Sequence, residues 1–105
     1  MQLIMKLREV RMSVCEIPPD AQPRLSAHVR LQWDVVRECQ VLLMPESVLA
    51  LNATGYAIVA LCDGQRRVSD IIAILSEQYG RPVEQDVLIF LNRLLNKRLL
   101  AIEDE

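Results

Sequence analysis

Eleven residues decide how this chain folds: Leu42-Leu43-Met44-Pro45-Glu46-Ser47-Val48-Leu49-Ala50-Leu51-Asn52. The apolar run at their start ends at Pro45, which cannot donate a hydrogen bond to a sheet and therefore marks a turn. Val48–Leu51 is a second extended run, and Asn52 stands where a helix N-cap belongs. A strand this short that leads straight into a helix is predicted to lie at the edge of its sheet. Its outward N–H and C=O groups would then be open to an added strand.

The residues before this stretch predict one further strand. Val29, Leu31 and Trp33 alternate with polar residues, which is the period-two pattern of a half-buried strand. After a turn, Cys39–Met44 returns as the second strand, and Ser47–Leu51 follows as the third. We expect an antiparallel meander, and one of its faces must be covered because so small a sheet is not stable alone.

Three helices after the third strand supply this cover. The first, Ala53–Cys62, is predicted to stop at Gly64. The second, Val68–Tyr79, has apolar residues at helical spacing and ends at Gly80. Pro82 suits the first turn of the third helix. The core stripe of this third helix consists of Val83, Val87, Phe90, Leu91 and Leu94.

The predicted fold class is α+β, a three-stranded antiparallel sheet followed by a three-helix bundle, similar to a winged helix-turn-helix domain. Leu99–Ile102 is predicted as a short closing strand. Residues 24–105 form this domain, and residues 1–23 are predicted to be a flexible or exchanged N-terminal tail, because the prolines from Pro18 to Pro23 interrupt regular structure. The predicted core contains Leu31, Trp33, Leu43, Ile58, Leu61, Ile72, Leu75, Val87, Phe90 and Leu94.

Composition places the chain among small globular proteins. Its 105 residues suffice for one domain, 51% of them are hydrophobic, and the net charge is −2. Such a balance gives no overall attraction to nucleic acid or to anionic lipid. No apolar stretch reaches the roughly 20 residues needed to cross a bilayer, and the N-terminus lacks the pattern of a signal peptide. A cytoplasmic protein with no membrane partner is therefore expected.

Groups that could carry out catalysis or bind a metal are sparse. The cysteines Cys15, Cys39 and Cys62 are widely spaced, and His28 is the sole histidine. A structural zinc site usually needs four such ligands in close pairs. We therefore interpret Cys39 and Cys62 as small buried hydrophobes and Cys15 as part of the tail. With no partner for His28 and no glycine-rich phosphate loop, the sequence predicts no metal, no cofactor and no enzymatic activity.

A winged-helix DNA-binding regulator is the alternative interpretation, because three helices beside a sheet can form such a domain. The third helix would then be the recognition helix, but its Glu84 and Asp86 balance Arg93 and Lys97. The small basic cluster Gln65-Arg66-Arg67 lies outside it. Since DNA binding depends on clustered positive charge, the charge pattern disfavours this alternative.

The third helix carries more apolar residues than one buried face needs. Ile89 lies on one flank beside Asp86 and Arg93, and Leu88 and Leu95 lie on the opposite flank. We predict that one flank and the edge strand together form a groove that accepts an extended peptide. With the Ile89 flank preferred over the other, the candidate peptide-binding residues are Val48, Leu49, Ala50, Leu51, Asp86, Ile89 and Arg93.

A longer series of motifs runs through the chain: Leu43-x-Pro45-Glu46-x-x-x-x-Leu51-Asn52-x-x-Gly55, Ile58-x-x-Leu61-Cys62-Asp63-Gly64, Ile71, Leu75, Tyr79, Asp86-Val87-x-x-Phe90-Leu91 and Leu99-Leu100. Their order and spacing resemble the PqqD family over about residues 24–102. The chain departs from that family at Arg67, where relatives often have a Thr that caps the second helix.

The resemblance implies a non-catalytic peptide chaperone in pyrroloquinoline quinone biosynthesis. It implies binding of the precursor peptide PqqA and its presentation to the radical-SAM enzyme PqqE, which cross-links a Glu and a Tyr of the peptide. It also implies that the peptide adds to the third strand and lies against the third helix. A free strand edge and an apolar tail can also pair between two molecules, so a homodimer is expected.

Overall fold

The structure of the chain, a computed structural model, describes residues 17–103. These residues form five strands and three helices, and their arrangement confirms the predicted α+β class with its three-stranded antiparallel sheet. The strands are β1 (Gln22–Leu25), β2 (Arg30–Asp34), β3 (Cys39–Met44), β4 (Ser47–Ala50) and β5 (Leu100–Glu103). The helices are α1 (Ala53–Ala60), α2 (Val68–Tyr79) and α3 (Glu84–Asn96).

The central sheet has the strand order β2-β3-β4 and is antiparallel throughout. The Pro45-Glu46 turn joins β3 to β4, with Met44 opposite Ser47. At the other hairpin, the Asp34 carboxylate accepts hydrogen bonds from two backbone N–H groups of the turn. As predicted, β4 is an edge strand; β2 forms the other edge.

A second sheet, which the sequence did not predict, pairs β1 with β5 near the two ends of the described residues. Pro23 lies inside β1 and is buried. A proline is tolerated there because β1 is an edge strand of its two-stranded sheet. The Pro23 carbonyl accepts a hydrogen bond from the Gly64 N–H at 2.9 Å. Gly64 therefore helps to hold β1 in place, and the prediction that it stops the first helix is wrong, since α1 already ends at Ala60.

Residues 17–23, predicted as the end of the tail, pack onto α2. Ala21 is buried, and its carbonyl accepts a hydrogen bond from the Val68 N–H at 2.8 Å. The Pro19 carbonyl accepts another from the Ser69 N–H at 2.9 Å. Both donors lie in the first turn of α2, where a helix leaves N–H groups without internal partners. The part of the predicted tail that precedes residue 17 lies outside the described residues.

Capping interactions place the helix ends close to the predicted positions. The Asn52 Oδ1 atom accepts a hydrogen bond from the Gly55 N–H at 2.7 Å, which confirms Asn52 as an N-cap. Gly80 ends α2 in the left-handed conformation, with φ of 70°. Pro82 lies just before α3 rather than in its first turn, because Val83 is the N-cap.

The core lies between the helices and the inner face of the central sheet. Ile58, Leu75, Val87 and Leu94 are buried, as predicted. The predicted burial of Trp33 is wrong, because its side chain is 52% exposed. Trp33 lies next to the turn of the β2–β3 hairpin, where the strand alternation continues past the buried part of the sheet. The predicted core residues that are only half-buried are Leu31, Leu43, Leu61, Ile72 and Phe90.

Candidate functional site

The open edge of β4 is the first component of the site. In an antiparallel pair, successive residues direct their backbone groups alternately towards the partner strand and away from it. The Leu51 N–H donates to the Gln40 carbonyl at 2.9 Å, so Leu51 is bonded to the β3 side. Leu49, two residues earlier, also directs its backbone groups to β3. Val48 and Ala50 therefore direct their N–H and C=O groups to the open edge.

Two depressions lie between the end of β4, the start of α1 and helix α3; together we call them the β4–α3 groove. Their volumes are about 130 Å³ and about 380 Å³. Asn52, Phe90 and Arg93 line both, so the two depressions adjoin each other. The smaller depression is also lined by Leu49, Ala50, Leu51, Leu94 and Lys97. The larger is also lined by Thr54, Gly55, Ile58, Arg81, Asp86 and Ile89.

The structure brings the preferred flank of α3 to this groove. Asp86, Ile89 and Arg93 line the larger depression, and Ile89 is 47% exposed. On the opposite flank, Leu88 is 9% exposed and Leu95 packs against the core. The second-choice flank therefore serves packing, whereas the first-choice flank has surface available to a ligand. The binding roles of its three residues stay predictions.

The four predicted strand residues take different positions. Leu49, Ala50 and Leu51 line the smaller depression, with Leu51 buried. Val48 points its side chain to the opposite face of the sheet from Leu49, because successive strand residues alternate, and this side chain is exposed. Val48 is thus placed to offer a ligand its backbone groups rather than its side chain.

Phe90 lines both depressions, and its position depends on Gly55. A Cβ atom added at Gly55 would lie 3.1 Å from Phe90 Cζ and 3.2 Å from Asn52 Oδ1. The absence of a side chain in this turn of α1 thus allows the aromatic ring to approach the helix closely. The consequence is a half-buried ring whose outer surface faces the groove.

The charged residues of the groove are mainly cationic. Arg81 Nη1 lies 3.6 Å from Asp86 Oδ2, and both side chains are more than half exposed. Arg93 and Lys97 line the part nearest to β4, and within residues 17–103 neither has a carboxylate at ion-pair distance. Their charges are therefore available to a ligand.

Sequence reasoning missed several of these groove residues. The apolar stripe of α3 predicts Phe90 to lie in the core, and the motifs place none of Gly55, Arg81 and Lys97 in the site. A glycine inside a helix often marks a close approach, so Gly55 carried a usable signal. Lys97 carried a signal as well, because it follows Arg93 by four residues, the spacing of neighbouring side chains on a helix. Arg81 precedes α3, and no periodic pattern identifies it.

The remaining chemical groups of the described residues do not form a reactive centre. Burial raises the pKa of the Cys62 thiol to about 12, so this cysteine is a protonated core residue, as predicted. Backbone N–H groups of the turn hold the pKa of the Asp63 carboxyl below its usual range, and Asp63 also pairs with Arg66 at 2.8 Å. Within residues 17–103, no group of three or more metal-ligating side chains is assembled.

No helix in residues 17–103 combines the length and apolarity that a bilayer crossing requires.

The Arg66–Asp63 pair bears on the DNA-binding alternative, because it neutralises part of the small basic cluster. His28 is exposed, as predicted, but it lies in the turn before β2 rather than on the polar face of the strand.

Comparison with known proteins identifies relatives along most of the chain. Residues 39–100 match the family model described as Coenzyme PQQ synthesis protein D (PqqD). A PqqA binding protein of Methylococcus capsulatus is 37% identical over 81 residues, which are 76% of this chain and 87% of the relative. One from Klebsiella pneumoniae is 45% identical over 64 residues, or 59% and 70% of the two chains. These names describe binding rather than catalysis, in agreement with the prediction of a non-enzymatic protein.

Two solved structures match the fold. The solution NMR structure of the PqqD part of Methylobacterium extorquens PqqCD has a TM-score of 0.68 and 37% identity, and the match covers 84% of this chain and 97% of that one. That protein is described as a functional, stand-alone recognition element for ribosomally synthesized and post-translationally modified peptides. The crystal structure of PqqD from Xanthomonas campestris has a TM-score of 0.51 and 34% identity, with coverage of 81% and 98%. Both matches agree with the α+β fold described above.

Proposed function

This chain belongs to the PqqD family, and from that membership we propose that it binds the precursor peptide PqqA in the β4–α3 groove and presents it to the radical-SAM enzyme PqqE. The peptide adds as a strand to the β4 edge, with backbone hydrogen bonds to Val48 and Ala50, while α3 contacts its side chains. The chain carries out no chemistry itself, and it acts in the cytoplasm.

The observation that carries this proposal is that the open edge of β4 and the exposed α3 flank with Ile89 border adjoining depressions of the same groove. Sheet edges are commonly protected from added strands by charged side chains. The other edge strand, β2, has such protection in Arg30 and Asp34, whereas Ser47–Ala50 contains no charged residue. The sequence therefore leaves open the edge that lies beside α3.

The geometry of strand addition supports presentation to an enzyme. An added strand pairs with β4 along one edge only, so its other edge stays accessible to a second protein. The segments of the peptide beyond the groove also stay free of contacts with this chain. A peptide held in this way is anchored but still open to cross-linking by PqqE.

The direct test removes one outward N–H. Ala50→Pro deletes such a donor without removing a bond to β3, and proline is tolerated at the outward side of an edge strand. In a titration of isotope-labelled protein with PqqA, followed by backbone amide shifts, we expect this variant to bind about five- to tenfold more weakly. For the wild type, the shifts should concentrate in β4 and α3.

Two variants make the result specific. Ala50→Ser keeps the N–H and should bind like the wild type. Leu49→Pro deletes a donor that points to β3, and it should lower the melting temperature, which Ala50→Pro should leave nearly unchanged. Unaltered PqqA affinity in Ala50→Pro would refute strand addition at β4. Absence of PqqA binding, together with tight and salt-sensitive binding of duplex DNA, would favour the winged-helix regulator instead.

A further inference from the structure

We propose that the β4–α3 groove selects a peptide segment in which an acidic side chain and an apolar side chain are two positions apart, and that Arg93 and Lys97 are the specificity-determining cations. This inference rests on the proposed function, because it assumes that the peptide adds to β4. It specifies which side chains the bound segment must carry, and it assigns Lys97 to the site.

The first step is the position of the two cations. Arg93 lies in the last turn of α3, and Lys97, four residues later, is the C-cap of that helix. Both line the smaller depression together with Ala50, whose backbone groups face the open edge. A strand added to β4 therefore passes beside both cationic side chains.

The second step is the charge balance of the groove. Its charged lining residues are Arg81, Asp86, Arg93 and Lys97, and the first two pair with each other at 3.6 Å. Two positive charges are left over, in a chain whose net charge is −2. The preference for an acidic side chain is thus a local property of the groove, not a consequence of overall charge.

The third step is the larger depression, which adjoins the smaller one at Arg93. Ile58, Ile89 and the ring of Phe90 supply its apolar lining, and the paired side chains of Arg81 and Asp86 supply part of its polar lining. Its volume of about 380 Å³ admits a large aliphatic or aromatic side chain. Arg93 lines both depressions, so the carboxylate site and the apolar site are neighbours.

The spacing of the two side chains follows from strand geometry. In an extended peptide, residues i and i+2 point to the same side, and residue i+1 points away. The two side chains that face α3 are therefore separated by one residue. The acidic side chain of the peptide lies at the Ala50 end of β4, because Arg93 and Lys97 are there. The opposite end of β4 carries the Glu46 carboxylate, which would repel it.

The test uses the full chain and synthetic PqqA peptides in which each acidic residue is changed, one at a time, to its amide. We expect Arg93→Gln or Lys97→Gln to weaken binding about two- to fivefold at low ionic strength. The double reversal Arg93→Glu with Lys97→Glu should weaken it more than about tenfold, because like charges then face each other. Arg30→Glu with Arg67→Glu, which makes the same charge change outside the groove, should bind like the wild type.

One acidic residue of PqqA should account for the effect. The peptide with the amide at that position should bind the wild-type protein weakly, and it should bind the Arg93→Gln protein no more weakly. A peptide with Lys at that position should regain binding to the double-reversal protein. The residue two positions away should be apolar, and its change to Ser should weaken binding in every variant. The wild-type affinity should fall with added salt more steeply than that of the double-reversal variant.

The outcomes separate this inference from the proposed function. If PqqA binds and Ala50→Pro weakens it, but the double reversal leaves the affinity unchanged, the proposed function stands and the charge-based selection is refuted. If the acidic and apolar residues that matter are adjacent or far apart in PqqA, the spacing rule is refuted. If PqqA does not bind the wild type, both the function and this inference fall.

Discussion

Phe90 lines both depressions of the groove, and its ring is half-buried rather than enclosed. The next residue, Leu91, is 1% exposed and lies in the core. We expect Leu91→Ala to lower the free energy of unfolding by about 2–5 kcal/mol through a closed cavity. Phe90→Ala should lower it by less than about 2 kcal/mol, because the space it leaves opens into the groove.

Denaturant unfolding of the two variants measures this difference, and a PqqA titration adds the functional contrast. Phe90→Ala should bind PqqA more weakly than Leu91→Ala does, although it is the more stable of the two. Equal losses of stability would instead mean that the Phe90 ring is a core residue, as the helical stripe alone predicts.

The limits of sequence reasoning at this scale show in Trp33 and Phe90. Periodicity identifies the face on which a side chain lies, and both residues do lie on inward-facing stripes. It contains no information on how far the opposing element extends along that face. Trp33 is exposed near the end of its hairpin, and Phe90 borders a groove, for this same reason. Ile89 was predicted correctly as surface because it lies off the stripe.

At the scale of elements, the start of α2 has an incomplete cap. The Asp70 carboxylate accepts a hydrogen bond from the Arg67 N–H at 3.0 Å, which is one half of a capping box. The side chain of Arg67 has no acceptor atom and cannot supply the other half. Arg67→Thr places a hydroxyl where it can accept from the Asp70 N–H, and we expect it to raise the free energy of unfolding by about 0.5–1 kcal/mol.

Thermal and denaturant unfolding of Arg67→Thr, compared with Arg67→Ala, test this expectation. The alanine variant also loses the arginine but gains no acceptor, so it should be no more stable than the wild type. PqqA affinity should be the same in all three proteins, because position 67 lies outside the groove. A stabilisation shared by both variants would point to the loss of charge rather than to the cap.

Elements with local signals were predicted well, and an element that depends on a distant partner was not. The bounds of β3 and α2 follow from Pro45, Gly80 and the apolar periods. Strand β1 exists because it pairs with β5, more than seventy positions later, with Leu25 opposite Leu100. Its sequence, Gln22-Pro23-Arg24-Leu25, contains a proline and lacks a strand pattern, so local rules assign it to a tail.

At the scale of the whole molecule, the β4 edge can accept one partner at a time. A second copy of the chain could pair its own β4 there, and this would form one continuous sheet across a two-fold axis. The same Val48 and Ala50 groups would then be used that we assign to the peptide. Self-association through β4 and PqqA binding are therefore expected to exclude each other, whereas association through another surface would be compatible with bound peptide.

Sedimentation velocity of the full chain at high concentration, with and without PqqA, distinguishes these cases. If a homodimer forms through β4, saturating PqqA should convert it to a complex of one chain and one peptide, and Ala50→Pro should be monomeric without peptide. A dimer that persists with bound PqqA would mean that another surface holds it. If a tail contributes, its removal must stop before Ile17, because residues 17–23 cap α2 and form part of β1. A deletion to residue 23 would destabilise the fold, and a change in mass would then report unfolding rather than a lost interface.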